Sequence, residues 1–344
     1  MDFKTETTYS SATIGNSKVS AMMRQVLYAL VPGTLTLLWF FGWGVLTNIV
    51  LAIGFALLAE AIMLKLRNRP IVPFLSDYSA VVTGWLLGLA MPSSSPWWLL
   101  LIAIFFAIVI AKQLYGGLGY NPFNPAMVGY VVVLISFPVE MTRWASPVEL
   151  GILDSSFTDT LTRVFGFTSS TTWDAITMAT PLDHIKTNLM RDIVVGKSMA
   201  EGQQFGLFAG KGWEWVSITY LLGGIWLIYK KIITWHIPVA LLTSLAGISG
   251  IFWIFSPEQF ASPVFHLFSG ATMLGAFFIA TDPISASTTP MGKLIYAAGI
   301  GFFIYIIRVW GGYPDGVAFS VIIMNMAVPL IDYYTQPKIF GEKG

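Results

Sequence analysis

The sequence predicts an all-α polytopic membrane protein, with about ten transmembrane helices in two inverted five-helix repeats. Composition, long apolar segments and an internal recurrence together predict it. Of 344 residues, 55% are hydrophobic and 11% charged, whereas a soluble domain carries roughly 25% charged residues. The mean hydropathy is +0.71. A spanning helix needs about 20 mostly apolar residues. By that measure the candidate spans are 24–42, 45–64, 77–91, 97–112, 124–138, 213–230, 235–255, 269–282, 292–308 and 315–333.

The recurrence relates the third to fifth spans to the eighth to tenth. The first half reads Thr83-Gly84, Ala90-Met91-Pro92, Ser93 to Pro96, then Lys112 and Gly116-Gly117. The second reads Leu274-Gly275, Ala280-Thr281-Asp282-Pro283, Ser285 to Pro290, then Arg308 and Gly311-Gly312. An odd number of helices separates equivalent positions, so equivalent segments cross in opposite senses. Matched short, Gly/Pro-interrupted segments in an inverted repeat point to a site between the halves; here they are 77–91 and 269–282.

Charge sets the orientation. With the N-terminus in the cytoplasm, Lys65, Arg67, Arg69, Lys112, Lys230, Lys231, Lys293, Lys338 and Lys343 fall inside, as the positive-inside rule requires. Arg308 is the exception, near the outer face. Three parts follow: a first transmembrane repeat (1–138), an external cap (139–212) and a second repeat (213–344). The polar start, Met1 to Ser20, has no apolar core before a cleavage site, so no signal peptide is expected. Scattered aromatics in the cap (Trp144, Phe157, Phe165, Trp173) argue that it folds, and loops of that length are usually functional or disordered.

Several chemistries are excluded. A net charge of +1 argues against a nucleic-acid partner. Absence of cysteine excludes disulfides, thiolate-ligated iron–sulfur clusters and a thiol nucleophile. The three histidines are His184, His236 and His266; the last two sit near span edges, unsuited to bis-histidine haem. There is no Gly-rich phosphate loop between a strand and a helix for a dinucleotide.

Flavin needs none of those ligands. The cap contains Asp174, Thr177, Met178, Ala179, Thr180 and Pro181, the pattern on which bacterial flavin transferases attach FMN through a phosphoester. Thr180 is the acceptor; Asp174, Thr177 and Ala179 complete the motif. Pro181 favours extended backbone at Thr180, as a modifying enzyme needs. The bland reading is an ordinary turn. A rival, Ser269-Gly270-Ala271-Thr272, has His266 rather than Asp at the sixth position before the threonine, and lies in a predicted helix whose small residues suit packing.

The chain resembles the NqrB/RnfD family, and within it the D component of the Rnf complex, a ferredoxin–NAD ion-translocating oxidoreductase. It is also similar to the NqrB component of the sodium-pumping NADH:quinone reductase. The motif around Thr180 carries the resemblance, with Gly116 to Ala126 and Gly275 to Pro283. One departure is Met178 where the family has Gly; the remaining motif leads us to expect attachment still. The resemblance implies covalent FMN on Thr180 facing outside and a second, non-covalent riboflavin in the membrane half. It also implies partner subunits bearing an external FMN and iron–sulfur centres, and a bacterial inner-membrane location. On this reading the chain is one link of an electron wire, inactive alone, within a complex that moves sodium or protons.

Asn121 and Asn124 are the candidates for the second flavin, because amides donate to and accept from a pyrimidine edge without adding charge. Asn-Pro pairs also simply initiate turns. Glu60, Asp77, Asp282 and Asp315 are carboxylates within or at the ends of spans, where an ionisable group is a functional-site hypothesis. Asp77 and Asp315 alternatively cap the following helices, and Glu60 lies near Lys65 to Arg69. Lys112 and Arg308 are near-equivalent cations that neutralise flavin anions or mark the membrane interface. The competing classes are a quinone-reductase component and a secondary transporter; a transporter has no need of the external motif.

Overall fold

The computed structural model describes residues 7–150, 156–167 and 176–336, with side chains from residue 19 onward. Every predicted span is helical. The first half contains α1 (Thr7–Phe41), α2 (Gly44–Leu66), α3 (Ser79–Ala90), α4 (Trp97–Ile104), which continues as a π-helix over Phe105–Gln113, and α5 (Pro125–Ser136). The cap contributes α6 (Phe157–Val164), α7 (Pro181–Leu189) and α8 (Val195–Glu201). The second half contains α9 (Trp213–Tyr229), α10 (His236–Phe255), α11 (Pro263–Phe268), α12 (Thr272–Leu274) with a π-helix over Gly275–Ile279, α13 (Pro290–Trp310) and α14 (Val317–Thr335). Among the described residues there are isolated β-bridges but no strand.

Five helices are long and apolar enough to cross a membrane alone: the Val19–Phe41 part of α1, then α2, α10, α13 and α14. The protein is therefore an all-α polytopic membrane protein. The eighth predicted span, 269–282, differs most from expectation. Within it only α12 and its π-helix are helical; Gly270, at φ 62°, separates them from α11, which precedes the predicted start. A left-handed residue ends one helix and re-aims the next, and glycine adopts it without a Cβ penalty.

Local chemistry starts the helices. Asn124-Pro125, Thr180-Pro181, Ser262-Pro263 and Thr289-Pro290 each place an oxygen-bearing side chain at the N-cap and proline at the first helical position. The cap oxygen accepts an orphan N–H and the proline wastes none. Between the halves, α1 packs on α9 at van der Waals range. A Cβ on Gly223 would come within 2.4 Å of the Ala29 carbonyl oxygen, so only glycine permits this approach.

The molecule has two faces. One, here the terminal face, gathers the starts of α1, α3 and α5 and the ends of the π-helices. The other, the cap face, gathers the ends of α1, α3 and α5, the start of α9 and helix α7. Exposed aromatics follow this division: Trp39, Trp43, Trp97 and Trp310 towards the cap face, Tyr115, Tyr229, Tyr333 and Tyr334 towards the terminal face. Such rings favour the membrane–water boundary.

Candidate functional site

The motif segment is extended, as its proline predicts. Ser146 N–H donates to Ile176 O at 2.9 Å and Met178 N–H to Trp144 O at 2.9 Å, with an antiparallel bridge between Ala145 and Thr177. Ala179 is exposed and Thr180 half-buried. Thr180 (φ −64°, ψ 156°) is the N-cap of α7, its Oγ1 accepting from Asp183 N–H at 3.3 Å. Asp174 lies outside the described residues.

Thr180 sits on the wall of a cavity of about 290 Å³ between the two halves. Tyr130, Trp144, Trp213 and Tyr220 supply aromatic lining, Leu274 and Val317 aliphatic lining. Ser269 also lines it, 1% exposed and with its Oγ unpartnered. A buried hydroxyl without a partner costs stability and is available to a ligand. The rival acceptor behaves otherwise. Thr272 is 0% exposed, and its Oγ1 accepts from Arg308 Nη2 at 2.8 Å.

The two sequence-equivalent cations are buried ion-pair centres rather than interface markers. Lys112, 1% exposed, lies 2.7 Å from Glu60 Oε1 and donates to Ser79 Oγ at 2.7 Å. Ser79 Oγ donates to Asp77 Oδ1 at 2.5 Å, and Asp77 also accepts from Ser79 N–H at 2.7 Å. Gln113, the next residue, donates to Glu60 Oε1 at 2.9 Å. The wider π-turn brings two consecutive side chains onto one carboxylate; π-turns often occur at functional sites. Glu60 is thus satisfied by Lys112 and not by Lys65 to Arg69. Arg308 pairs with Asp315 Oδ1 at 2.9 Å and donates to the carbonyls of His266 and Ser269 at 2.6 and 3.0 Å. Asp315 also accepts from Ala271 N–H at 2.8 Å and Val317 N–H at 3.4 Å, so it clamps the broken segment and caps α14 together. Neither Lys112 nor Arg308 is a loop charge, so neither belongs in a positive-inside count, and the Arg308 exception disappears.

A smaller pocket of about 90 Å³ on the terminal face brings together Lys112, Asn121, Asn124 and Asp282. The two asparagines differ. Asn124 caps α5 through Oδ1, accepting from Met127 N–H at 3.3 Å, and donates to Ile279 O at 3.2 Å. Asn121 donates to Phe123 O at 3.0 Å, while its buried Oδ1 has no partner. Asp282 accepts from Ser285 Oγ at 2.7 Å.

Two residues escaped sequence reading. Asn325, 2% exposed, accepts from Asn124 N–H at 3.3 Å and donates to Ser285 O at 2.8 Å, joining the first half to the Asp282 loop. Lys186 of α7 donates to the carbonyls of Ile307, Arg308 and Tyr313 at 3.3, 3.3 and 2.8 Å. A cation on the carbonyl end of α13 is favoured by the helix dipole. Burial pushes the Lys186 ammonium down and the Asp183 carboxyl up from their ordinary values, each partly offset by the other's charge. An intramembrane Asn and a cap Lys resemble many others in sequence; only tertiary pairing distinguishes them. Lys186→Met should strand the Arg308 and Tyr313 carbonyls, each costing about 1–3 kcal/mol, while Ile307 O keeps Gly311 N–H at 3.0 Å, and should speed hydrogen exchange in residues 182–189. Lys186→Arg should exchange like the wild type, and equal exchange in the Met variant would remove Lys186 as an anchor.

Among the described residues, no group of three or more His, Asp or Glu can hold a metal ion.

The chain is similar to known proteins over nearly its whole length. The model of the "NQR2, RnfD, RnfE family" matches residues 7–341. The chain is 53% identical to a protein of Aliivibrio salmonicida, covering 97% of this chain and 98% of that one. It is 51% identical to one of Escherichia fergusonii, covering 97% of each, and 52% identical to one of Yersinia pseudotuberculosis, covering 94% of each. All three are named as the D subunit of an "Ion-translocating oxidoreductase complex".

Proposed function

We propose that this chain, which belongs to the NQR2, RnfD, RnfE family, is the D subunit of an ion-translocating oxidoreductase complex and carries covalent FMN on Thr180. The observation that carries the flavin reading is the position of Thr180. It is an extended, half-exposed acceptor on the wall of a 290 Å³ cavity, near the lower end of the roughly 300–1,000 Å³ of ordinary ligand pockets. The residues fit the group. Tyr130, Trp144, Trp213 and Tyr220 would bound the isoalloxazine, and the free Ser269 hydroxyl would meet a polar ring atom. Bound FMN supplies one- and two-electron redox chemistry. The protein's part is to fix the anchor, exclude water with aromatic walls, and hold the Arg308–Asp315 clamp beneath the rim. Attachment needs a transferase and a flavin dinucleotide donor: the Thr180 Oγ–P bond forms, the pyrophosphate bond breaks, and a nucleoside monophosphate leaves. In-gel flavin fluorescence and intact mass of the chain test this.

The terminal-face pocket supports a non-covalent riboflavin held by one edge. Asn121 Oδ1 is an open acceptor, and about 90 Å³ takes an edge and not a tricyclic ring. For the ion, sodium or proton, Asp282 is the better candidate, since the Glu60 carboxylate is already engaged by Lys112 and Gln113. Recurrence of a buried cation after the fourth span of each half, gripping the start of the third, favours an inverted repeat of parts 1–138 and 213–344 around the cap. Electron donors and acceptors belong to partner subunits, bearing an external FMN and iron–sulfur centres, so the chain alone has no turnover. A secondary transporter leaves the cap site without a role.

Lys65, Arg69, Lys230, Lys231 and Lys293 follow the terminal face, which supports a cytoplasmic terminal face and an external cap at the bacterial inner membrane. In this cysteine-free chain, Gln203→Cys should react with an impermeant thiol reagent on intact cells and Lys230→Cys should not. Both positions are exposed, so the reverse labelling would invert the orientation.

A further inference from the structure

Beside Thr180 lies a second, much smaller cavity, which shares Trp144, Thr180, Pro181 and Trp213 with the aromatic one. It holds about 10 Å³ and is lined by Trp144, Met178, Thr180, Gln204, Lys211 and Trp213 among others. A tight β-turn places Gln204 opposite Lys211. Lys211 N–H donates to Gln204 O and Gly206 N–H to Ala209 O, both at 2.8 Å. The Glu214 carboxylate closes the turn, accepting from the N–H groups of Leu207 and Phe208 at 3.1 and 3.3 Å. The turn lies directly on the motif: a Cβ on Gly210 would come within 2.3 Å of Pro181 Cγ. Gln204 is 6% exposed and its Nε2 has no acceptor. Lys211 has no carboxylate partner among the described residues. A buried amide donor without an acceptor is costly, and Lys211 on the same cavity wall brings a positive charge to it.

We infer that Gln204 and Lys211 form a subsite for the phosphate of an ester on Thr180. This rests on the reading of Thr180 as the flavin anchor. Gln204 and Lys211 line the cavity together with Thr180, the N-cap of α7, a nine-residue helix whose N-terminus attracts anions. Charge sorts the two cavities. The Asp183 carboxylate lines the large aromatic one and is absent from the lining of the small one. The phosphate therefore turns towards Lys211 and the ring towards Tyr130 and Tyr220, with Thr180 on the shared wall. About 10 Å³ holds one water-sized atom, enough for one non-bridging oxygen, the rest of the phosphate staying at the rim.

The test uses the assembled complex with Gln204→Glu, Lys211→Met and Lys211→Arg. Covalent flavin is read by in-gel fluorescence and intact mass. Shielding of the ester is read as the rate at which a phosphodiesterase releases flavin from the native complex. Gln204→Glu keeps size but faces the phosphate with a like charge; it and Lys211→Met should load less flavin or release it about tenfold faster, as loss of a charge-assisted hydrogen bond predicts. Lys211→Arg should load and release like the wild type. If both altered-charge variants match the wild type, the subsite is overturned while attachment stands. If Lys211→Arg fails together with Lys211→Met, Lys211 is a packing element and the inference is overturned. A wild-type chain without a fluorescent band refutes instead the flavin reading beneath it.

Discussion

We expect Thr180→Ala to abolish in-gel flavin fluorescence of the denatured chain and to remove the mass of one FMN, and Thr272→Ala to retain both. The effect is all-or-none because a phosphoester needs the hydroxyl; no neighbouring oxygen replaces it. Of the four Ala-Thr pairs in the sequence, those ending at Thr180 and Thr272 are the candidate acceptors. Their surroundings distinguish them: Thr272 is fully buried with its oxygen committed to Arg308, while Thr180 is half-buried beside an exposed Ala179. The helix-capping bond of Thr180 complicates only stability. Losing a threonine cap costs about 1 kcal/mol, too little to unfold α7 with Lys186 still anchored. Retention of flavin by Thr180→Ala, with loss in Thr272→Ala, would move the anchor to the transmembrane clamp.

Removing either member of the Glu60–Lys112 pair should be severe. Breaking a buried pair leaves an uncompensated charge and costs about 3–5 kcal/mol. Glu60→Ala also strands Gln113 and, through Lys112, the Ser79–Asp77 turn that starts α3. We expect Glu60→Ala and Lys112→Met each to lower the fraction of chain that survives heating in detergent, as read by size exclusion. The double variant Glu60→Leu/Lys112→Met should recover most of the loss, because an apolar pair of similar volume is often no less stable than a buried ion pair. Single variants as stable as the wild type would show that the pair bears no structural load.

Much of this was legible in the chain. Apolar length located the five long membrane-crossing helices and the shorter apolar ones, and Pro181 announced extended backbone at Thr180 because proline constrains the residue before it. The Gly116 to Ala126 run reads as a boundary for a similarly local reason. What stayed hidden depends on distance. Lys112 and Arg308 look like interface cations until Glu60 and Asp315 are placed against them. Lys186 meets Tyr313 at a separation of 127 residues, and Asn325 meets Asn124 at 201; no periodicity encodes such pairs. The eighth span was placed from residue 269, with Gly270 inside its first turn, because hydropathy does not register a left-handed residue.

The buried cations also bear on membrane voltage. A lone charge crossing the full field would exchange about 2.3 kcal/mol per 100 mV. Lys112 and Arg308 do not present themselves to the field as lone charges, since each has a carboxylate oxygen within 3 Å. Each pair is a short dipole, with both partners packed in the same half. If one half rocked against the other, these groups would travel as neutral units and the potential would do almost no work on them. They are poor gating charges. The Glu60–Lys112 and Arg308–Asp315 pairs that brace the fold would then contribute little to any steep dependence of turnover on voltage.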